Sequence, residues 1–375
     1  MAKTRRTGAV LRAQHGVVAS FPNDFFGYFA WPSIAQTAGE RLVVAASGLR
    51  NDAHCPFGRT VLCDSEDGGQ SWSSPRVIND TPLDDREAGL VALGEERLLL
   101  TWLSREDQKR AGKQLLSIND RATADRWRAG FARMGPYEVD EFAGAWMRLS
   151  EDGGRQWEAP QRLMLAAPHG PIALQTGGLL LLGKYFSSMD SYASGAGAIA
   201  SMRSTDGGRS WDLGGTVPLM EDTVEAQYSD AHCVELPDGR LLGLLSFRDT
   251  SADDESAGYS MLQTRSENRG RQWSVPEPLS LHGGPPHLLR HSSGTLICTY
   301  GYRKPPYGQR VMMSVDEGET WDCDYVLRDD GVDAELGFPA SVELKDGSVL
   351  TVYYQKERNV RDRCSLLWTR WSLPG

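Results

Sequence analysis

One eight-residue pattern, Ser-x-Asp-x-Gly-x-x-Trp, constrains this chain more than any other feature. It runs from Ser65 to Trp72, Ser150 to Trp157, Ser204 to Trp211 and Ser314 to Trp321. A fifth copy, Ser266 to Trp273, carries Asn268 in place of the aspartate. The chemistry is that of a β-turn. The aspartate accepts hydrogen bonds from its own turn backbone, glycine supplies a positive φ, and tryptophan buries a large ring under the hairpin. Repetition on this scale means an array of like units.

The stretches between the turns share one grammar. A short apolar run meets a turn, and a second run follows. A third run ends in the repeated motif, and a fourth closes the unit. In the first unit these runs are Pro32–Gln36, Arg41–Ala46, Thr60–Cys63 and Pro75–Ile78, with the alternation and β-branched content of strands. Four antiparallel strands per unit make a propeller blade. Pairs of first and second strands occur six times: Pro32–Ser47, Ala88–Leu103, Pro171–Tyr185, Ala231–Phe247, His287–Tyr302 and Phe338–Tyr354. The expected fold is therefore all-β, a six-bladed β-propeller of four-stranded antiparallel blades, forming one domain over residues 1–375. The blades are placed at 32–80, 87–165, 169–219, 230–281, 285–328 and 337–373. The last unit lacks room for a fourth strand, and the apolar stretch 9–18 is expected to supply it and close the ring. The second unit is the longest, with an insertion at 104–144. There Ala122–Met134 has helical spacing, with Trp127 and Phe131 on one face. This helix reads equally as a solvated excursion or as a cap over the site.

Charge and composition exclude several functions. The net charge is −10, from 40 basic against 50 acidic residues, and no basic run is present. A nucleic-acid partner is not expected, since phosphate binding needs a basic face. No apolar run approaches the ~18–20 residues of a membrane span, and no membrane partner is expected. Residues 1–6 are basic but no apolar segment follows, so no leader is read and a cytoplasmic location is expected. The six cysteines show no CxxC pair and no metal spacing, and read as reduced buried thiols. No phosphate-cradling glycine loop or dinucleotide fingerprint occurs, so no cofactor and no metal are expected.

Topology locates the site. First strands start at one face and second strands return to it, so these ends converge around the central channel. The starts offer Trp31, Arg86-Glu87, His169, Asp230 with His232, His287 and Phe338. The ends offer Arg50 with Asp52 and His54, Arg105, Lys184-Tyr185, Arg248, Arg303 and Tyr354. Arginines and imidazoles concentrated there suit an anionic or heavily hydroxylated small ligand. Trp31 and Phe338 could stack on a pyranose, with Arg50, Arg86, His169, Tyr185, Arg248, His287 and Arg303 as further substrate contacts. Asp52, His54, Asp230, His232 and Glu335 are the candidate acids and bases, since carboxylates across a sugar ring suffice for hydrolysis and an imidazole works near neutral pH.

The repeated turns and the sheet grammar resemble the Asp-box (BNR) repeats of the sialidase superfamily over nearly the whole chain. That resemblance implies a six-bladed propeller and a retaining exo-glycosidase that uses no metal. Its members use a tyrosine nucleophile assisted by glutamate, an aspartate acid/base and three arginines that clamp the substrate carboxylate. In the matching register, Ala30-Trp31-Pro32 stands where the family has an Arg-Ile-Pro signature, so the first clamp arginine is missing, and Phe338 stands at the nucleophile. Asp230 takes the place of the assisting glutamate, Asp52 and His54 fall in the acid/base loop, and Arg248 and Arg303 match the later clamp arginines. The resulting expectation is a sialidase-like exo-glycoside hydrolase acting on a small acidic sugar or oligosaccharide. Two alternatives stay open: an oligosaccharide lyase with a channel histidine as base on a uronate, and a carbohydrate-binding propeller without turnover.

Overall fold

The computed structural model describes residues 3–106, 120–185, 197–249, 259–357 and 363–374. Six small antiparallel sheets form a ring, a six-bladed β-propeller. Blade one comprises Tyr28–Gln36, Leu42–Arg50, Arg59–Ser65 and Arg76–Asn79. Blade four, Tyr228–Glu235, Leu241–Arg248, Tyr259–Ser266 and Glu277–His282, repeats the same plan. In the sixth sheet, Ala13–Ala19 lies antiparallel to Cys364–Trp371, so the two ends of the chain share one blade. A strand with no signal in the sequence, Lys3–Arg6, adds in parallel to Thr320–Arg328 at the edge of blade five.

The core lies between blades rather than at one centre. Each of the six interfaces between neighbours holds one apolar cluster. Second strands are buried on both faces, and the two-residue period divides their side chains between two interfaces. Leu98 and Leu100 face blade one, while Leu99 faces blade three. Each fully buried leucine contributes about 1.5–3 kcal/mol.

The repeated turn has the geometry its residues dictate. Asp67 Oδ1 accepts from the backbone N–H of Gln70 at 3.0 Å and Ser71 at 2.9 Å, and Gly69 N–H donates to Ser65 Oγ at 2.9 Å. The Ser71 hydroxyl, which also donates to this carboxylate, leads these bonds in holding the Asp67 carboxyl well below its usual range. Gly69 has φ +89° and a Cβ there would meet Leu350 of blade six at 2.6 Å, so glycine serves both the turn and the blade interface. Trp72 donates to Gly69 O at 3.0 Å and is half-buried, whereas Trp321 is fully buried and donates to Gln263 Oε1 at 2.8 Å.

The insertion in blade two carries helix α1, Arg121–Phe131, and helix α2, Pro136–Phe142. Asp120 caps α1 by accepting from Ala122 N–H at 3.0 Å. Trp127 is buried against Cys55, Phe57 and Phe131, and its indole donates to Asn51 Oδ1 at 3.2 Å. Thus α1 is docked on the blade-one loop that carries Asp52 and His54. Residues 107–119 of the inserted segment lie outside the described residues.

Candidate active site

The inner strands of four blades kink at the same place. Trp31, Glu87, Asp230 and Phe338 have φ of 52°, 53°, 46° and 48°, each at a register shift between first and second strands. Non-glycine residues held in the left-handed region cost of order 1–3 kcal/mol each and cluster at functional sites. An extra residue at a bulge also re-aims the side chain. Here it gathers these four around the channel.

Glu87 and Asp230 form an acidic pair across the channel. Both sit deep among protein atoms and are half-buried. Burial, and then the Asp230 charge, push Glu87 up to about 7, against the pull of Arg86 and Arg105. Burial also raises Asp230, opposed by the Ser229 hydroxyl, Arg303 and Lys184. The Ser229 Oγ–H donates to Asp230 Oδ2 at 3.0 Å. Lys184 is fixed by Tyr228 O at 2.6 Å and Glu225 O at 3.1 Å. Two like charges in one site disfavour ionising together, so the pair holds a proton more readily than either carboxyl would alone.

Around the pair stand an aromatic wall and cations. The Arg86 guanidinium lies 3.7 Å from the centre of the Trp31 ring, and Tyr354 lies 6.1 Å from Trp31 and 6.2 Å from Phe338. Arg303 sits 5.9 Å from the Phe338 ring and donates through Nε and Nη2 to Leu336 O at 3.2 and 3.1 Å. Burial pushes the Tyr354 hydroxyl up to about 12, with Arg303 opposing. Trp31, Arg86, Asp230, Arg303 and Phe338 are therefore brought together.

Other expected residues are committed elsewhere. Arg50 is fully buried, and all its donors are engaged: Nη1 with Asp84 and Ser47, Nη2 with Asp84 at 2.9 Å and Cys55 O at 2.7 Å, and Nε with Asp52 O at 3.3 Å. It holds blade one to blade two and has no donor left for a ligand. Glu335 accepts from the Tyr28 hydroxyl at 2.9 Å and pairs with Lys356. The Asp52 carboxylate caps its own loop, accepting from His54 N–H at 2.7 Å and Asn51 Nδ2 at 3.1 Å. His54 lies half-buried on that loop. Tyr185 packs against the apolar cluster between blades two and three, and Arg248 ends the second strand of blade four. His169, His232 and His287 form a cluster of their own, with ring centres 4.5–5.6 Å apart. Burial lowers all three, His232 to about 4, so they are neutral and not cationic ligands at neutral pH.

Glu87, Lys184, Arg105 and Tyr354 occupy strand ends that the topology places at the channel, although the sequence pattern singles out their neighbours for the site. The equivalence of Glu87 with Trp31, Asp230 and Phe338 is the signal that could have singled it out. Among the described residues, no group of three or more His, Cys, Asp or Glu is arranged to hold a metal ion.

The comparisons accord with this architecture. No curated protein matches the chain. Among solved structures, a protein of unknown function from Dyadobacter fermentans aligns at TM-score 0.74 and 20% identity, over 97% of this chain and 99% of that one. The intramolecular trans-sialidase from Ruminococcus gnavus aligns at TM-score 0.59 and 14% identity, over 96% and 97%. The GH93 α-L-arabinofuranosidase of Fusarium graminearum aligns at TM-score 0.63 and 11% identity, over 96% and 98%. At these identities the likeness is one of fold. A family model described as the BNR repeat-like domain matches residues 131–352, more than half the sequence. The chain belongs to the BNR repeat-like domain family.

Proposed function

We propose that the chain is a sialidase-like exo-glycoside hydrolase that removes a small acidic sugar from an oligosaccharide in the mouth of the channel. The observation that carries this reading is the Glu87–Asp230 pair at the channel, both carboxyls raised by burial. Glu87, pushed up to about 7, is the general acid that protonates the leaving oxygen. Asp230, steadied by Arg303 and Lys184, is the ionised partner that acts on the anomeric side. Trp31 and Phe338 offer faces for the sugar ring. Arg303 and Lys184 stand beside the pair, and such cations favour a substrate that brings its own negative charge. The fold's occurrence in a trans-sialidase and an arabinofuranosidase supports carbohydrate as the substrate class.

The test is incubation with a panel of sialosides, uronate-containing oligosaccharides and arabinosides, followed by product mass. Gain of one water per cleavage is expected. Cleavage without mass gain, with new ultraviolet absorbance, rejects hydrolysis in favour of elimination. Saturable binding without turnover rejects an enzyme altogether.

A further inference from the structure

The histidine cluster belongs to a second cavity, reached from the opposite face. Inner strands run from the kinked residues toward the far face, and His232 lies two residues beyond Asp230 in that direction. A cavity of about 310 Å³ has His169, His232 and His287 in its lining and reaches the ends of three inner strands at Gln175, Glu235 and Arg290. Its walls between these include Val91, Ile172, Val234 and Leu289.

The hydrogen bonding of the cluster is incomplete in a directed way. His232 Nδ1 accepts from the backbone N–H of Leu288 at 3.0 Å, and His287 Nδ1 accepts from that of Ser341 at 3.3 Å. An acceptor nitrogen on a neutral imidazole leaves the proton on the other nitrogen, so each ring carries an Nε2–H donor. Those donors have no protein partner among the described residues. His169 is 2% exposed, and neither of its ring nitrogens has one. Buried polar groups are almost always satisfied, and the unpartnered His169 ring requires an explanation. A metal ion does not supply it, because Nε2 would have to give up its proton while Nδ1 stays occupied. At the cavity's edge, Glu235 is already tied to Gln175 N–H at 2.6 Å, while Arg290 is exposed and makes no ion pair among the described residues.

We propose that this far-face cavity binds a small monocarboxylate, whose oxygens accept from the Nε2–H groups of His232 and His287 and from His169. The apolar walls take its short hydrocarbon, and Arg290 attracts its charge to the mouth. Converging N–H donors between apolar walls suit a small carboxylate better than a polyhydroxylated sugar, and Arg290 supplies the opposite charge that a partly buried anion needs. The inference does not rest on the glycosidase reading.

Calorimetric titration of the full chain with propionate tests it, alongside a crystal complex with 3-bromopropionate. One-to-one saturable binding is expected. His287→Phe should weaken it roughly tenfold, the effect of one lost hydrogen bond to a charge. Arg290→Gln, at an exposed position that leaves the fold alone, should weaken it several-fold, and Asp230→Asn should leave it unchanged. The bromine should appear beside the histidines. Absence of saturable binding, equal affinity in both His287→Phe and Arg290→Gln, loss of binding in Asp230→Asn, or bromine elsewhere would each overturn the proposal.

Discussion

The guanidinium of Arg86 lies over Trp31, 3.7 Å from the ring centre, while its Nη1 reaches Asp84 Oδ2 at 3.0 Å. The contact joins blade two to blade one at the channel, and a partly desolvated cation–π pair of this kind is worth about 0.5–2 kcal/mol. A double-mutant cycle with Trp31→Leu and Arg86→Met, read by urea unfolding, should return a coupling energy in that range. Additive effects would mean that the two residues merely lie side by side.

The fold was legible because five near-identical turns fix the repeat, and the runs between them have the period of strands. The site was legible only to the resolution of a strand end. Arg86 and Glu87 are neighbours, and in a regular strand they would face opposite ways; the kink at Glu87 decides which one meets Asp230. A one-residue bulge leaves no mark in hydrophobic patterning. Arg50 misled for a different reason. Its partner Asp84 lies 34 residues away in the next blade, and only packing shows that the pair is sealed. The neutral state of the histidines was equally hidden, since burial and not residue type sets it.

Arg50→Met should destabilise the protein strongly without a specific effect on substrate affinity. Burial alone would raise Asp84, yet Arg50 and Arg86 hold it below its ordinary value. Removing Arg50 leaves that charge inside with one partner, a loss of about 3–5 kcal/mol. Thermal melts should show the drop, and Arg50→Met with Asp84→Leu should recover part of it. An unchanged melt would place Arg50 outside the core network.

Asp230→Asn should lower the pKa of Glu87, because the like charge that raises it is gone. Carboxyl carbon NMR of Glu87 in wild type and variant reads this directly. A shift upward, or none, would show that the two groups do not sense each other. Turnover in Asp230→Asn should fall by roughly 10²–10⁴ with the melt unchanged.

The Glu87 contribution to stability should decline between about pH 4.5, the ordinary glutamate value, and about 7, while His169, His232 and His287, lowered by burial, contribute in the opposite sense. In that window the folded protein holds the Glu87 proton and the unfolded chain has released it, so raising pH favours unfolding. Glu87→Gln cannot ionise, so the stability of the wild type relative to this variant should fall as pH rises through the window. Urea midpoints across the window check it, and the same slope in both proteins would assign the pH dependence to other groups.

The most direct test of the acid–base assignment is the pH profile of kcat/KM for wild type and Glu87→Gln, on the best substrate of the panel. The wild type should lose activity as pH rises through about 7, where Glu87 gives up its proton. Glu87→Gln should lose that limb and fall roughly 10²–10⁴-fold on poor leaving groups, with activated aryl glycosides spared. Full activity in Glu87→Gln, with the alkaline limb in place, would contradict the assignment of the channel carboxyl pair as the catalytic centre.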